Sequence, residues 1–280
     1  MSAILDHIVI NTRFEMDRAE DIFTGLGFTL TPRGHHTLGS HNHLMMFATD
    51  YLELVGIAEA DAHKRPEIAN SPIGLNALVF KTHDAHKTFA RLETIAMAGE
   101  APCSFSRPVT LSDGSTHEAR FRTVTARAEA FPAARLYFCE HLTSDLIWRP
   151  EWQNHPNGVA GFTELVIVTA RPEEHAAGLA ELLEVRPRTS RSGGQVLALD
   201  DGFRLAFITR DEYAGRFGDL ARSGDGREAF PGALGLGCGS IDTVRKFTGD
   251  TAALRVAQSD GRLNLAVDAF DTLLFIDAES

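Results

Sequence analysis

Hydrophobic residues follow two different periodicities along the chain, and these predict alternating strands and helices. A continuous β-branched run at residues 4–10 is typical of a strand that is covered on both faces. The next apolar residues recur at helical spacing and stop before Gly27, a suitable C-terminal cap: Ala19, Ile22, Phe23 and Leu26. Apolar runs at 44–47 and 51–57 then predict further strands. The first unit is therefore predicted to be a strand, a helix and two or three strands.

The same order of segments returns three more times. Strand-like runs begin near residues 4, 74, 161 and 233 and are followed by helical stripes and by strands that turn at sequences such as Asp201-Gly202. The period of roughly 70 to 87 residues is too long for a solenoid and fits a βαβββ module. We therefore predict an α+β fold of four tandem βαβββ modules, paired into two halves.

The boundary between the halves is predicted where periodicity breaks down. Residues 148–158 contain two prolines and an Asn-Gly pair, which interrupt any regular element. Modules one and two are assigned to residues 1–147, a linker to 148–160, and modules three and four to 161–280. Two tryptophans in the linker, Trp148 and Trp152, indicate that it packs onto the body of the protein.

Composition narrows the classes of function. The chain has 280 residues, of which 44% are hydrophobic, and a net charge of -11 that is spread along its length. This charge disfavours a nucleic-acid partner. No apolar segment approaches the roughly 20 residues that cross a bilayer, and no secretory leader is evident. We expect a cytoplasmic protein without a membrane partner that binds a small-molecule substrate, and a homodimer is compatible with this expectation. Three widely spaced cysteines argue against a disulfide framework.

Six segments resemble the glyoxalase-like domain branch of the vicinal oxygen chelate superfamily, which includes glyoxalase I and extradiol dioxygenases. They are Leu5-Asp6-His7-Ile8-Val9, Thr31-Pro32-Arg33-Gly34, Gly39-Ser40-His41-Asn42-His43, Tyr51-Leu52-Glu53-Leu54, Trp148-Arg149-Pro150-Glu151 and His155-Pro156-Asn157-Gly158. The resemblance implies that paired modules form open U-shaped barrels, each with a concave face. It also implies a divalent metal inside such a barrel, held by residues of first and last strands.

Three residues are predicted to bind this metal. His7 lies in the first strand of module one and Glu53 in its last strand, so an imidazole nitrogen and a carboxylate oxygen supply two ligands. In the last strand of module two, Tyr137, Cys139 and His141 alternate on one face, and His141 would be the third ligand. Such a set suits iron, manganese or zinc. Alternatively, His7 is a core residue hydrogen-bonded to Glu53, and no metal is bound.

Module two departs from the family pattern, because Ala77 stands where many superfamily members have a ligand. Glu164 occupies the place of His7 in module three, but that half offers no matching carboxylate and histidine. We therefore expect modules three and four to be a degenerate half that supports the first.

Substrate contacts are predicted from charge and position. Arg120 and Arg122 leave the same face of one strand, and if that face is concave they would anchor a carboxylate or phosphate. If it is convex, they are solvated surface charges. Arg33 is a lesser candidate for the same role. His43 and Tyr137 are further candidates for lining the pocket.

Two classes of function follow from these expectations. One is a glyoxalase-like metalloenzyme of lyase, isomerase or dioxygenase type that acts on a small, oxygen-rich substrate in the first half, and the charge of that substrate stays open. The alternative is a metal-free protein of the same fold that binds or sequesters a small molecule. Ala77 favours the binding protein, whereas the pair of His7 and Glu53 favours the enzyme.

Overall fold

Two eight-stranded sheets form the framework of the protein. The computed structural model describes residues 3–190, 193–249, 253–259 and 261–278. The first sheet contains β1 (Leu5–Arg13), β2 (Gly34–His35), β3 (Ser40–Met46), β4 (Tyr51–Ile57), β5 (Gly74–Lys81), β6 (Cys103–Thr110), β7 (Thr116–Thr125) and β8 (Arg135–His141). The second contains β9 (Val159–Thr169), β10 (Arg188–Thr189), β11 (Gln195–Ala198), β12 (Arg204–Ile208), β13 (Ala229–Cys238), β14 (Leu254–Ser259), β15 (Arg262–Val267) and β16 (Thr272–Ala278).

The two sheets share one strand order, which confirms the predicted duplication. The first runs β2-β3-β4-β1-β5-β8-β7-β6, and the second runs β10-β11-β12-β9-β13-β16-β15-β14. In each sheet the first strands of two modules pair antiparallel at the centre, and each pairs in parallel with the last strand of its own module. The edges of the first sheet approach each other, because Thr37 N donates to the carbonyl of Ser106 at 2.9 Å. The first half is therefore a nearly closed barrel.

Six α-helices are found among the described residues: α1 (Met16–Gly25), α2 (Pro66–Ala69), α3 (Ala85–Thr94), α4 (Pro172–Leu183), α5 (Arg210–Phe217) and α6 (Ile241–Arg245). Apolar residues of α1, α3 and α4, such as Phe23, Leu92 and Leu179, share one hydrophobic cluster with both sheets. The halves are thus joined through their helix-bearing faces. Gly74 lies at this junction with a φ of +100°, and a Cβ there would lie 2.6 Å from the carbonyl oxygen of Phe270. No helix of the described residues is long and apolar enough to cross a membrane.

Helix α5 lies between modules three and four, where the apolar pattern predicted no element. Thr209 and Glu212 form a capping box at its start, in which each side chain bonds the backbone of the other. Tyr213 and Phe217 of α5 belong to the cluster on the concave face of the second sheet. This face is therefore filled by the protein's own helix.

The connection between the halves packs against the first barrel. Two short 3-10 turns, Ser144–Leu146 and Pro150–Trp152, carry it across the concave face. His155 then holds two backbone positions, since its Nδ1 accepts from Thr29 N at 3.0 Å and its Nε2 lies 3.0 Å from the carbonyl of Met46. The connection is thus fixed to the body by contacts and hydrogen bonds. The exact domain bounds stay a prediction.

Candidate metal and substrate site

The concave face of the first barrel brings together the polar residues that the sequence nominated. Side chains alternate along β1, β4 and β8, so His7, Glu53 and His141 all leave the face opposite the shared core. Strands β1 and β4 are parallel neighbours, with Val9 opposite Glu53. His7 is only 3% exposed and Glu53 only 7%. The candidate site is therefore an enclosed polar centre within an apolar barrel.

Asp6 joins this centre although strict alternation would turn it to the other face. The register between β1 and β5 shifts between Leu5 and His7, which makes Asp6 the extra residue of a β-bulge. Its Oδ2 accepts from His7 Nδ1 at 2.7 Å and from His141 Nε2 at 2.9 Å. Burial acts to raise the pKa of the Asp6 carboxyl, but the charge and hydrogen bond of His141, and then those of His7, hold it well below its ordinary value. Asp6 thus bridges both histidines.

The bridge orients the imidazole of His7. When Nδ1 donates to Asp6, the neutral ring presents the lone pair of Nε2 to the barrel interior. This nitrogen lies 3.2 Å from the hydroxyl of Tyr137 and 3.6 Å from Oε2 of Glu53. Tyr51 stacks on the ring, with centroids 4.4 Å apart and planes 14° apart. His7 is therefore held from two sides, with one nitrogen facing Glu53.

Glu53 is held in turn by a polar chain that begins in β3. Asn42 Nδ2 donates to Glu53 Oε1 at 2.7 Å and lies 3.3 Å from Nε2 of His36. Burial, followed by the charge of Arg107, lowers the pKa of His36 to about 3, so this ring is neutral. The carboxylate of Glu53 thus keeps one oxygen bonded and turns the other to His7.

Aromatic side chains close the site on the side of the connection. Trp148 lies edge-on to His141 with ring centroids 4.8 Å apart, and Phe121 lies 5.3 Å from the same ring. Trp152 and Ile147 complete the cluster. Burial also raises the pKa of the Cys139 thiol well above its ordinary value. The interior of the barrel is therefore screened from bulk water.

Two predicted substrate contacts lie outside this interior. Ala119 and Phe121 of β7 point into the barrel, so Arg120 and Arg122 leave its outer face. Arg122 Nε donates to Ser104 Oγ at 3.1 Å, and its Nη1 lies 3.4 Å from Oε2 of Glu140. The interpretation in which both guanidinium groups enter the pocket is therefore wrong. Ala119 and Phe121 are the residues of this strand that face inward, and the two arginines alternate with them.

His43 also faces away from the metal candidates. Its neighbour Leu44 points into the barrel, and His43 points to the side of α1. There Arg33 Nε donates to His43 Nε2 at 3.1 Å, and Nδ1 lies 2.8 Å from the carbonyl of Thr31. Arg33 is itself paired with Asp17 and with Glu20. Both residues therefore belong to a network beside α1 and are not in the barrel interior.

Arg107, which the sequence did not nominate, is the arginine that enters the barrel. It alternates with exposed Pro108 and lies on the inner face of β6, where it is 3% exposed. Burial lowers its pKa, and the charges of Tyr51 and Glu53 offset this only in part. The alternation of Phe105, Arg107 and Val109 was the available signal in the sequence.

The buried donor atoms fit a divalent cation. An ion about 2.1 Å from each atom can span the 3.6 Å between His7 Nε2 and Glu53 Oε2. Asp6 Oδ1 and His141 Nδ1 are buried and have no hydrogen-bond partner among the described residues. Ligand atoms of Asp6, Cys139 and His141 also lie within 4.8 Å of one another. The three predicted ligands do not meet at one point: the group within 4.8 Å contains His141 but neither His7 nor Glu53, and His141 bonds Asp6 on the side of His7 away from Glu53.

The fold is similar to that of several solved structures. A hypothetical protein from Staphylococcus aureus covers 99% of this chain and all of its own length, with a TM-score of 0.67 at 9% identity. A mutant of 4-hydroxymandelate synthase from Streptomyces coelicolor covers all of this chain and 94% of its own, with a TM-score of 0.58 at 9% identity. A xylose isomerase-like TIM barrel/4-hydroxyphenylpyruvate dioxygenase fusion protein matches over 99% of this chain and 49% of its own, with a TM-score of 0.59 at 11% identity.

These similarities show that the chain shares its overall fold with these proteins. The sequence model of the glyoxalase-like domain matches residues 5–183, well over half of the chain. The protein therefore belongs to the glyoxalase-like domain family. Among curated protein sequences, none matches this chain.

Proposed function

We propose that the first barrel is the active site of a metal-dependent enzyme of lyase, isomerase or extradiol-dioxygenase type, acting on a small, oxygen-rich substrate. The observation that carries this proposal is the arrangement of Asp6, His7 and Glu53. A buried carboxylate fixes Nδ1 of His7 and leaves Nε2 facing a second carboxylate at 3.6 Å. Metal-binding histidines commonly donate their other nitrogen to a carboxylate in this way. Two of the structurally similar proteins are named as a synthase and a dioxygenase, which supports an enzymatic role.

The residues of the barrel would divide the chemistry between them. His7 and Glu53 would hold iron, manganese or zinc, and His141 would have to turn away from Asp6 to become the third ligand. The bound metal would polarise substrate oxygens. Asp6 keeps His7 in the tautomer that presents Nε2. The Tyr137 hydroxyl, 3.2 Å from that nitrogen, can donate a hydrogen bond to a group bound there. Trp148 and Phe121 limit the access of water.

Metal content is the direct test. Protein purified without chelator should contain a transition metal, or take one up on titration with iron, manganese or zinc, at close to one equivalent per chain. His7→Ala should abolish this uptake. His86→Ala, which changes an exposed histidine of α3, should leave it unchanged. Retained stoichiometric binding in His7→Ala would show that His7 is not a ligand.

A metal-free binding protein is the second candidate. Asp6 already satisfies one nitrogen of each histidine without an ion, and Ala77 supplies no ligand on the same inner face. In that case neither the purified protein nor the protein after titration would hold more than a trace of metal. Small molecules would then bind in the barrel without being converted.

A further inference from the structure

Arg107 is the least satisfied charged side chain on the inner face of the barrel. It is 3% exposed, and its Nε and Nη2 are both buried without a hydrogen-bond partner among the described residues. Burying a charge without partners is strongly unfavourable, so natural proteins seldom do it without a compensating ligand. Glu53, the carboxylate whose charge acts on Arg107, is already engaged, with Oε1 bonded to Asn42 and Oε2 facing His7.

The two unsatisfied nitrogens have a specific geometry. Nε and Nη2 lie on the same edge of the guanidinium plane, so their hydrogens point in parallel. A carboxylate can accept from both at once, which is the bidentate arrangement that arginine favours. A lysine could not offer this pair of donors. The edge of Arg107 that lacks partners is therefore the edge that matches a carboxylate.

Space for such a group exists beside Arg107. A cavity of about 100 Å³ at the rim of the barrel is lined by Arg107 and Arg33, together with Val109, Thr31 and Trp152. This is about the volume that three water molecules occupy in the liquid. Gly34 lets the Arg107 side chain pack closely against the backbone of β2, because a Cβ there would lie 2.5 Å from Asn42 Oδ1 and 2.7 Å from Cδ of Arg107. The cavity therefore has room for a small polar group next to the Arg107 side chain.

We propose that Arg107 binds the carboxylate of a small organic acid, which defines the substrate class of the barrel. The inference rests on the proposed function in treating this acid as the substrate, but binding of the carboxylate itself needs no metal. It transfers the anchoring role from Arg120 and Arg122, on the outer face, to Arg107. Glu53 contributes to the charge around Arg107, so the two groups belong to one interior.

Carboxylate binding can be measured by calorimetric titration with glycolate, on metal-free and metal-loaded protein. Glycolamide, its neutral analogue of the same size, is the matched probe. We expect glycolate to bind at least about tenfold more tightly than glycolamide, because only the anion gains charge-assisted hydrogen bonds. Arg107→Met should weaken glycolate by at least about tenfold and leave glycolamide unchanged. Arg107→Lys should restore only part of the affinity. Arg120→Met, on the outer face, should match the wild type.

Thermal unfolding separates a ligand-binding arginine from a structural one. If Arg107 is unpaired until a ligand binds, Arg107→Met should leave the melting temperature of the ligand-free protein unchanged or raise it. Glycolate should raise the melting temperature of the wild type and not that of Arg107→Met.

Two results would overturn the proposal: glycolate binding that is equal in wild type and Arg107→Met, or no glycolate binding by the wild type with or without metal. The metal titration is read independently. A protein that binds glycolate through Arg107 but takes up no metal would disprove the metalloenzyme and keep the carboxylate site. A protein that takes up metal but binds no glycolate through Arg107 would disprove the carboxylate site and leave the metalloenzyme proposal standing.

Discussion

The two barrels share a strand order but differ in what fills their concave faces. In the first, polar and charged groups occupy the interior, among them Asp6, His7 and Glu53. In the second, apolar residues of the sheet pack against α5, with Phe217 and Phe230 in the same cluster. One copy of the fold therefore encloses a site, and the other encloses a core.

Equivalent positions show how the concave face of the second half is filled. Glu164 takes the place of His7, and its carboxylate pairs with Arg216 at 2.7 Å and Arg204 at 3.2 Å. The guanidinium of Arg216 lies over the ring of Phe275, 4.7 Å from its centroid. Tyr213 of α5 donates its hydroxyl to the carbonyl of Gly232 at 2.7 Å. These ion pairs place the charge of Glu164 against two guanidinium groups, although its Oε1 accepts no hydrogen bond of good geometry among the described residues.

The largest expected difference concerns the central carboxylate of each half. Asp6→Ala removes the acceptor of two buried imidazoles, and we expect it to lower the free energy of unfolding by about 3 to 5 kcal/mol. Glu164→Ala is the matched change in the second half. We expect it to cost about 1 to 2 kcal/mol, because Arg204 is half exposed and Arg216 can also reach water. Chemical denaturation of both variants measures the two values.

Equal losses of unfolding free energy in Asp6→Ala and Glu164→Ala would contradict this comparison. They would mean that the polar centre of the first half contributes no more to stability than the ion pairs of Glu164. Metal titration adds a second reading. Asp6→Ala should weaken metal binding, since loss of a carboxylate behind a ligating histidine typically costs about 10- to 100-fold in affinity. Glu164→Ala should leave metal binding unchanged.

Alternation along strands was sufficient to predict much of the candidate site. The two-residue period places His7, Glu53, Tyr137 and His141 on one face, and the structure has them there. The same period hid Asp6, because a bulge breaks it by one residue. A bulge depends on pairing with β5, which a single strand's pattern does not encode.

The sequence also did not show which face of a strand points into the barrel. Arg120 and Arg122 alternate as clearly as Phe105, Arg107 and Val109, and periodicity alone cannot tell an inner face from an outer one. The apolar partners of Arg107 would have favoured β6 as the strand that carries an inward arginine. Helix α5 was missed for a related reason, since its mean composition is polar and only its capping box marks its start.

A smaller effect is expected at the junction between the halves. Asp50, in the turn before β4, is half-buried, and its Oδ1 is buried without a hydrogen-bond partner among the described residues. Burial raises the pKa of Asp50 to about 7, although Thr49 and Lys81 oppose the shift. The charge of Asp201, from the second half, adds to the rise. Because the folded state holds this proton more tightly than the unfolded state, stability should fall as pH rises from about 4 to 7.

Asp50→Asn should remove this loss. We expect the variant to gain about 1 to 3 kcal/mol in free energy of unfolding at pH 8 and less at pH 5, measured by denaturation across that range. Asp113→Asn, in an exposed turn, should show no such gain. A wild-type stability that is flat between pH 5 and 8 would mean that Asp50 does not hold its proton in the folded protein.

The smallest expected effect compares two tyrosine hydroxyls, one in each half. Tyr137 donates to His7 Nε2, the nitrogen that a metal would need, so the hydroxyl and the ion compete for one lone pair. Tyr137→Phe should therefore lower the stability of the metal-free protein by about 0.5 to 1.5 kcal/mol and tighten metal binding by about two- to tenfold. Tyr213→Phe should reduce stability by a similar or larger amount, since that hydroxyl also accepts from Arg222 N at 3.1 Å, and should leave metal affinity unchanged. Weaker metal binding by Tyr137→Phe would instead indicate that the phenol is a metal ligand. The metal site would then take ligands from β8 as well as from β1.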